Sequence, residues 1–133
     1  MTRPKHILLV DDEADFRFSA SLALRMAGFR VKVADNGEEA LDMILEAHDK
    51  KFPFDLLLTD FSMPGMSGVD LIDAVKRYGI LTPSFTMTCS SMTDHARGLT
   101  GKGCDGSIEK PFQPEELVKR VRGILDSFSQ AVS

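Results

Sequence analysis

The sequence predicts an α/β protein: one five-stranded parallel sheet, doubly wound, with helices on both faces. Three observations predict it. Apolar runs of strand length alternate with helical patterns along nearly the whole chain, as consecutive β-α units do. Two runs are continuously apolar, as central parallel strands are, and two are partly polar, as edge strands are. The runs also end alike, in acids (Asp11, Asp12, Asp60), a hydroxyl (Thr88) or a lysine (Lys110). A parallel sheet gathers all of these at one edge.

The elements follow in order. His6–Val10 reads as a strand. Residues 15–27 read as a helix, with Gly28 placed as a left-handed cap. Arg30–Ala34 alternates polar and apolar residues, as a half-exposed strand does. Asn36 and Glu39 resemble a capping box opening a helix from Gly37 to about Lys50. Leu56–Asp60 is the third strand and residues 67–78 the third helix. Pro83 introduces a fourth strand over residues 84–88, and Gly106–Lys110 is a short fifth. Pro114, Glu115 and Glu116 open a last helix reaching to about residue 128, since early proline and early acids suit a helix start. Its apolar stripe is Leu117, Val121, Ile124 or Leu125, and Phe128. A further helix must cross between strands four and five. The sequence there holds Gly98, Gly101 and Gly103, each costing a helix about 1 kcal/mol relative to Ala. A short, frayed or mobile helix is expected.

Arg30 and Lys32 mark strand two as an edge, and Gly106, Ser107 and Glu109 mark strand five as the other. The order 2-1-3-4-5 satisfies both. It is the flavodoxin-like order, with its switch point between strands one and three. Asp11, Asp12 and Asp60 border that crevice.

At 133 residues the chain reads as one domain, 1–133, with a core of about 5–126 and a C-terminal tail over 127–133. Hydrophobic content of 43% and charge of 27% are ordinary for a globular protein. The net charge of −4 argues against nucleic acid as a direct partner. No apolar run approaches the roughly 18 residues of a membrane span, and no signal-peptide pattern is present, so a cytoplasmic protein is expected. Cys89 and Cys104 match no zinc or redox spacing and read as small reduced thiols. His6, His48 and His95 form no ligand set.

Three ionised carboxylates at one edge repel unless a cation sits among them, and Mg²⁺ takes oxygen ligands of this kind. Mg²⁺ and the Lys110 ammonium together balance their three negative charges. Such a site is prepared for a phosphoryl group. Asp60 can act as nucleophile to form an aspartyl-phosphate, while Lys110 neutralises the transferring group and the Thr88 hydroxyl donates to it. Taken singly, each residue has a plainer reading: a helix cap, a surface lysine, a strand threonine. The joint placement defeats those readings for the set.

These residues resemble the receiver domain of response regulators in two-component signalling, of the chemotaxis-regulator kind. The resemblance spans roughly residues 5–126. It rests on Val10-Asp11-Asp12-Glu13, on residues 59–68 (TDFSMPGMSG), on Pro83 to Thr88, on Gly103-Cys104-Asp105, and on Lys110-Pro111-Phe112. It implies that Asp60 is the phosphoacceptor. Asp11, Asp12, Asp60 and the backbone carbonyl of Ser62 would hold Mg²⁺, with Mn²⁺ allowed in its place. Thr88 would move toward the phosphate, Lys110 would bind it, and the Lys110-Pro111 peptide would be cis. Ser62 and Ser90 stand where the family tunes hydrolysis. The donor would be a phosphohistidine on a sensor histidine kinase or a histidine phosphotransfer protein, with no membrane or direct nucleic-acid partner and a homodimer allowed. The chain would catalyse only its own phosphorylation and dephosphorylation.

Two departures stand out. The family's usual aromatic three positions before the lysine is Ser107 here, which cannot fill or vacate an aromatic-sized pocket. Ordering of the Gly-rich segment 91–103, with Gly98 and Gly101, is the expected substitute, so the switch region is Thr88, Gly98, Gly101 and Ser107. In the first helix, Phe16, Ala20, Ala23, Leu24 and Ala27 share a core face. Phe18, Leu22 and Met26 form a second apolar stripe, expected to contact a phosphodonor because the family's kinases and phosphotransfer proteins dock on this helix.

The leading function is thus a phospho-accepting switch that changes the 88–110 region and partner binding. One alternative is a Mg²⁺-dependent phosphohydrolase using an aspartyl-phosphate, although Asp11-Asp12-Glu13 lacks the Asp-x-Asp spacing of the haloacid-dehalogenase pattern. Another is a non-signalling flavodoxin-like ligand binder, although the acids after strand one would repel a flavin phosphate.

Overall fold

A computed structural model describes residues 4–89, 105–110 and 113–132. Its order is β1 (His6–Val10), α1 (Ala14–Met26), β2 (Arg30–Ala34), α2 (Gly37–Asp49), β3 (Leu56–Asp60), α3 (Gly68–Arg77), β4 (Ser84–Cys89), β5 (Gly106–Lys110) and α4 (Pro114–Val132). All strands pair in parallel, in the order β2-β1-β3-β4-β5. The expected order holds, with the partly polar strands at the two edges.

Side-chain alternation splits the core between the faces. Ile7 and Leu9 of β1 join Leu56 and Leu58 of β3 on the face covered by α1 and α4, through Ala20, Leu24, Leu117, Val121 and Leu125. Leu8, Val10 and Leu57 join the opposite cluster, covered by α2 and α3 through Ala40, Ile44, Leu71, Ile72 and Val75. The stripes expected for α1 and α4 are therefore the ones that pack. Phe128 lies outside the residues whose side chains are described. Ser21 is also buried in α1, where its hydroxyl donates to the Phe18 carbonyl at 3.0 Å.

Element ends differ from expectation in small ways. Helix α1 begins and ends one residue early, with Gly28 at φ +100° just beyond its Ala27 cap. Strand β4 gains Cys89. Helix α4 runs to Val132, through most of the expected tail. Only half of the expected box forms at α2: the Asn36 side chain accepts from the Glu39 N–H at 2.7 Å. A complete capping box instead opens α3, where Ser67 and Asp70 exchange side-chain-to-backbone bonds. That moves the helix start from Ser67, which is its cap, to Gly68. The crossing between β4 and β5, with Ser90, Gly98 and Gly101, lies outside the described residues, as do Cys104 and the Lys110-Pro111 peptide.

Candidate functional site

Strand register brings the acids together. Val10 pairs with Thr59, and Asp60 with Met87, so Asp11 and Asp60 leave neighbouring strands side by side. Carboxylate oxygens of Asp11, Asp12 and Asp60 all lie within 4.8 Å of one another. Asp11 is fully buried, Asp60 half-buried and Asp12 exposed. At the effective dielectric of a partly buried site, unit charges this close repel by roughly 3 kcal/mol per pair. A cation placed among the three would offset that repulsion. Three hard oxygen donors at one open strand edge fit Mg²⁺, which takes few protein carboxylates and keeps waters.

Asp11 and the segment that follows Asp60 are held by their neighbours. The Asp11 N–H donates to the Ala34 carbonyl at 3.2 Å, and its Oδ1 accepts from the Glu13 N–H at 2.8 Å. The Asp11 carbonyl accepts from Arg17 Nη1 at 2.6 Å. Sequence reasoning missed Arg17, whose only signal was a cation in the second turn of the helix that follows the acids. Behind Asp60, the Phe61 N–H donates to the Met87 carbonyl at 2.9 Å, and the Gly68 N–H returns to the Phe61 carbonyl at 3.1 Å. Phe61 and Met63 are buried and anchor the loop, while Ser62 between them is exposed.

Gly68 closes this loop against the end of β3. A Cβ there would lie 2.1 Å from the Asp60 carbonyl oxygen and 3.2 Å from Thr59 Cγ2. Only glycine permits so close an approach. Strand register gives the backbone positions of two other residues. Thr88 follows the residue paired with Asp60, and Lys110 pairs with Cys89, so both strands end at the acidic edge. The Thr88 and Lys110 side chains lie outside the described residues. Ser107 pairs with Thr86 and is half-buried.

On α1 the second stripe faces outward: Phe18 is 70% exposed, Leu22 46% and Met26 81%. Near it a cavity of about 280 Å³ is lined by Asp15, Phe16, Ser19 and Ala20 from the first two turns of α1 and by Pro114 and Leu117 from the first turn of α4.

A family model, the response regulator receiver domain, matches residues 7–122. The chain belongs to this family. The receiver domain is 37% identical over 123 residues to the transcriptional regulatory protein TrcR of Mycobacterium tuberculosis, covering 92% of this chain and 46% of that protein. It is 36% identical to the phosphate regulon transcriptional regulatory protein PhoB of Pseudomonas aeruginosa, covering 91% of this chain and 52% of that protein. The chain thus spans about half the length of these curated relatives. Among solved structures it resembles the chemotaxis protein CheY4 of Vibrio cholerae, with TM-score 0.80 and 30% identity, covering 90% of this chain and 98% of that one. These likenesses establish a response-regulator receiver of two-component systems with a flavodoxin-like fold. No helix among its described residues is long and apolar enough to cross a membrane.

Proposed function

We propose that this receiver is a phospho-accepting switch that uses Asp60 as acceptor. The observation that carries this reading is the carboxylate trio at the ends of β1 and β3, with β4 and β5 delivering Thr88 and Lys110 to the same edge. Asp11, Asp12, Asp60 and the Ser62 carbonyl would hold Mg²⁺, or Mn²⁺. When bound, the ion supplies positive charge that offsets the carboxylates and the transferring phosphoryl oxygens. An Asp60 carboxylate oxygen attacks phosphorus of a donor phosphohistidine. The new O–P bond forms as the donor's N–P bond breaks, and the departing imidazole takes a proton. Lys110 then pairs with the phosphoryl oxygens and the Thr88 hydroxyl donates to one of them. Water later attacks the acyl phosphate, returning Asp60 and inorganic phosphate, so the chain acts on its own phosphorylation state only.

The donor would be a sensor histidine kinase or histidine phosphotransfer protein in the cytoplasm. The exposed Phe18–Leu22–Met26 stripe supports docking of its helices on α1. Neither nucleic acid nor membrane is needed for this step.

Intact mass after incubation with acetyl phosphate and Mg²⁺ tests the proposal. Wild type is expected to gain one phosphoryl group, and Asp60→Asn and EDTA-treated wild type none. An adduct on Asp60→Asn as well, or on neither protein, overturns it. Steady turnover of an added phosphoester would favour the phosphohydrolase reading instead.

A further inference from the structure

The loop after the acceptor strand is gripped from outside the site. Gly37 and Glu38 open α2, the helix that follows the edge strand β2. The Met66 N–H donates to Glu38 Oε1 at 3.2 Å. Gly65, at φ +76°, presents its bare Cα side to the same carboxylate: a Cβ there would lie 3.2 Å from that oxygen. Next to it, a Cβ on Gly37 would meet Met66 Cβ at 2.9 Å and Cγ at 3.0 Å. Gly37 is buried and Met66 half-buried, and Met66 packs against the α2–α3 core cluster.

We infer that Glu38 is a positioning residue for the metal site, acting through the loop that carries the Ser62 carbonyl. This rests on the proposed metal-dependent phosphorylation. Of the proposed ligands, Asp11, Asp12 and Asp60 stand at strand ends, whereas the Ser62 carbonyl stands in a loop. A loop-borne ligand must be ordered for the ion to gain from it, and ordering costs entropy. Met63 pins the loop to the core on one side of Ser62's turn. Glu38 and the Gly37 seat pin its far limb at Met66, before the Ser67 cap of α3. The grip is made in advance of binding, so its effect falls on affinity for the ion rather than on the chemistry at Asp60. Helix α2 is thereby joined to the acceptor loop, although it supplies no residue to the acidic trio.

The test is Mn²⁺ titration of the whole chain, followed by loss of the free-ion resonance, for wild type, Glu38→Ala, Glu38→Gln and Glu39→Ala. Gln keeps an acceptor oxygen for the Met66 N–H. Glu39 is also an exposed first-turn acid of α2, and among the described residues its side chain makes no hydrogen bond to the loop. Glu38→Ala is expected to weaken Mn²⁺ binding roughly threefold, the size of effect one exposed hydrogen bond supports. Glu38→Gln and Glu39→Ala should stay near wild type. With acetyl phosphate, Glu38→Ala should raise the half-saturating Mg²⁺ concentration and leave the plateau rate unchanged. Melting curves by circular dichroism should be close for all four. Unchanged Mn²⁺ affinity in Glu38→Ala overturns the inference alone. Equal losses in Glu38→Gln and Glu39→Ala also overturn it, because bulk charge would then account for the effect. Failure of wild type to bind Mn²⁺ overturns both this inference and the metal reading beneath it.

Discussion

Adding one methyl group at Gly68 should damage the end of β3 in a way that stability and the proposed chemistry both report. The Cβ of Gly68→Ala would stand 2.1 Å from the Asp60 carbonyl oxygen, and 3.1 Å from its carbonyl carbon. Real Cβ contacts essentially never fall under 3.0 Å, so about 1 Å of movement is required. The obstacle is strand-end backbone, held by the Phe61–Met87 and Gly68–Phe61 hydrogen bonds, and it cannot swing aside as a side chain can. Overpacking of this kind costs about 1–3 kcal/mol. For a domain of this size that lowers the melting temperature by roughly 4–11 °C. A catalytic group misplaced by about 1 Å loses on the order of 100-fold in rate. Calorimetry and the initial rate of acetyl phosphate labelling, taken well below the melting transition, are the assays. Gly123→Ala is the control. It sits in the interior of α4 with nothing within 4 Å of the new Cβ, and should gain up to about 1 kcal/mol from helix propensity. If Gly68→Ala labels at the wild-type rate, the argument that this glycine sets the position of Asp60 is wrong, whatever its melting temperature.

Three other changes separate neighbouring effects. Phe18→Asp alters a side chain that is 70% exposed, so melting and labelling by acetyl phosphate should hold, while transfer from a protein phosphodonor should slow about tenfold, as loss of an aromatic interface anchor does. Stopped-flow transfer measurements check this, and loss of small-donor labelling too would indicate misfolding. Ser67→Ala removes the acceptor for the Asp70 N–H of the α3 capping box, and should lose about 1 kcal/mol in urea unfolding. Gly106→Ala places a Cβ 2.6 Å from Phe85 Cε2. Here the obstacle is the far end of a half-buried ring that can turn, so the melting temperature should fall less than in Gly68→Ala.

That Asp11, Asp12 and Asp60 meet at one sheet edge is legible in the sequence. In a parallel sheet the last residues of successive strands share one edge, so locating the ends of the apolar runs locates Asp11, Asp12, Asp60, Thr88 and Lys110 together. Strand order was legible too, because Arg30 and Lys32 cannot be buried on both sides and Leu56, Leu57 and Leu58 cannot be left exposed. The second stripe of α1 followed from a helix's 100° per residue. These are one-dimensional regularities, which periodicity and burial impose on sequence directly.

What the tertiary structure alone decided are the contacts between segments far apart in sequence. Nothing in the string of residues says that Glu38 reaches Met66, that Arg17 folds back onto the Asp11 carbonyl, or that Gly68 lies against Asp60. The spacing of Asn36 and Glu39 predicts a full capping box, and only the bond to the Asn36 side chain forms. The sequence pattern places Ser67 first in its helix, and it is instead the cap. Each outcome depends on side-chain rotamers and loop dihedrals, and those are selected by how distant segments pack around one another. The sequence by itself determined which groups share the sheet edge, since strand direction and period suffice for that. Their fixed separation, and the brace on the loop beside them, required the fold, because close approach of distant backbones is a property of three-dimensional packing.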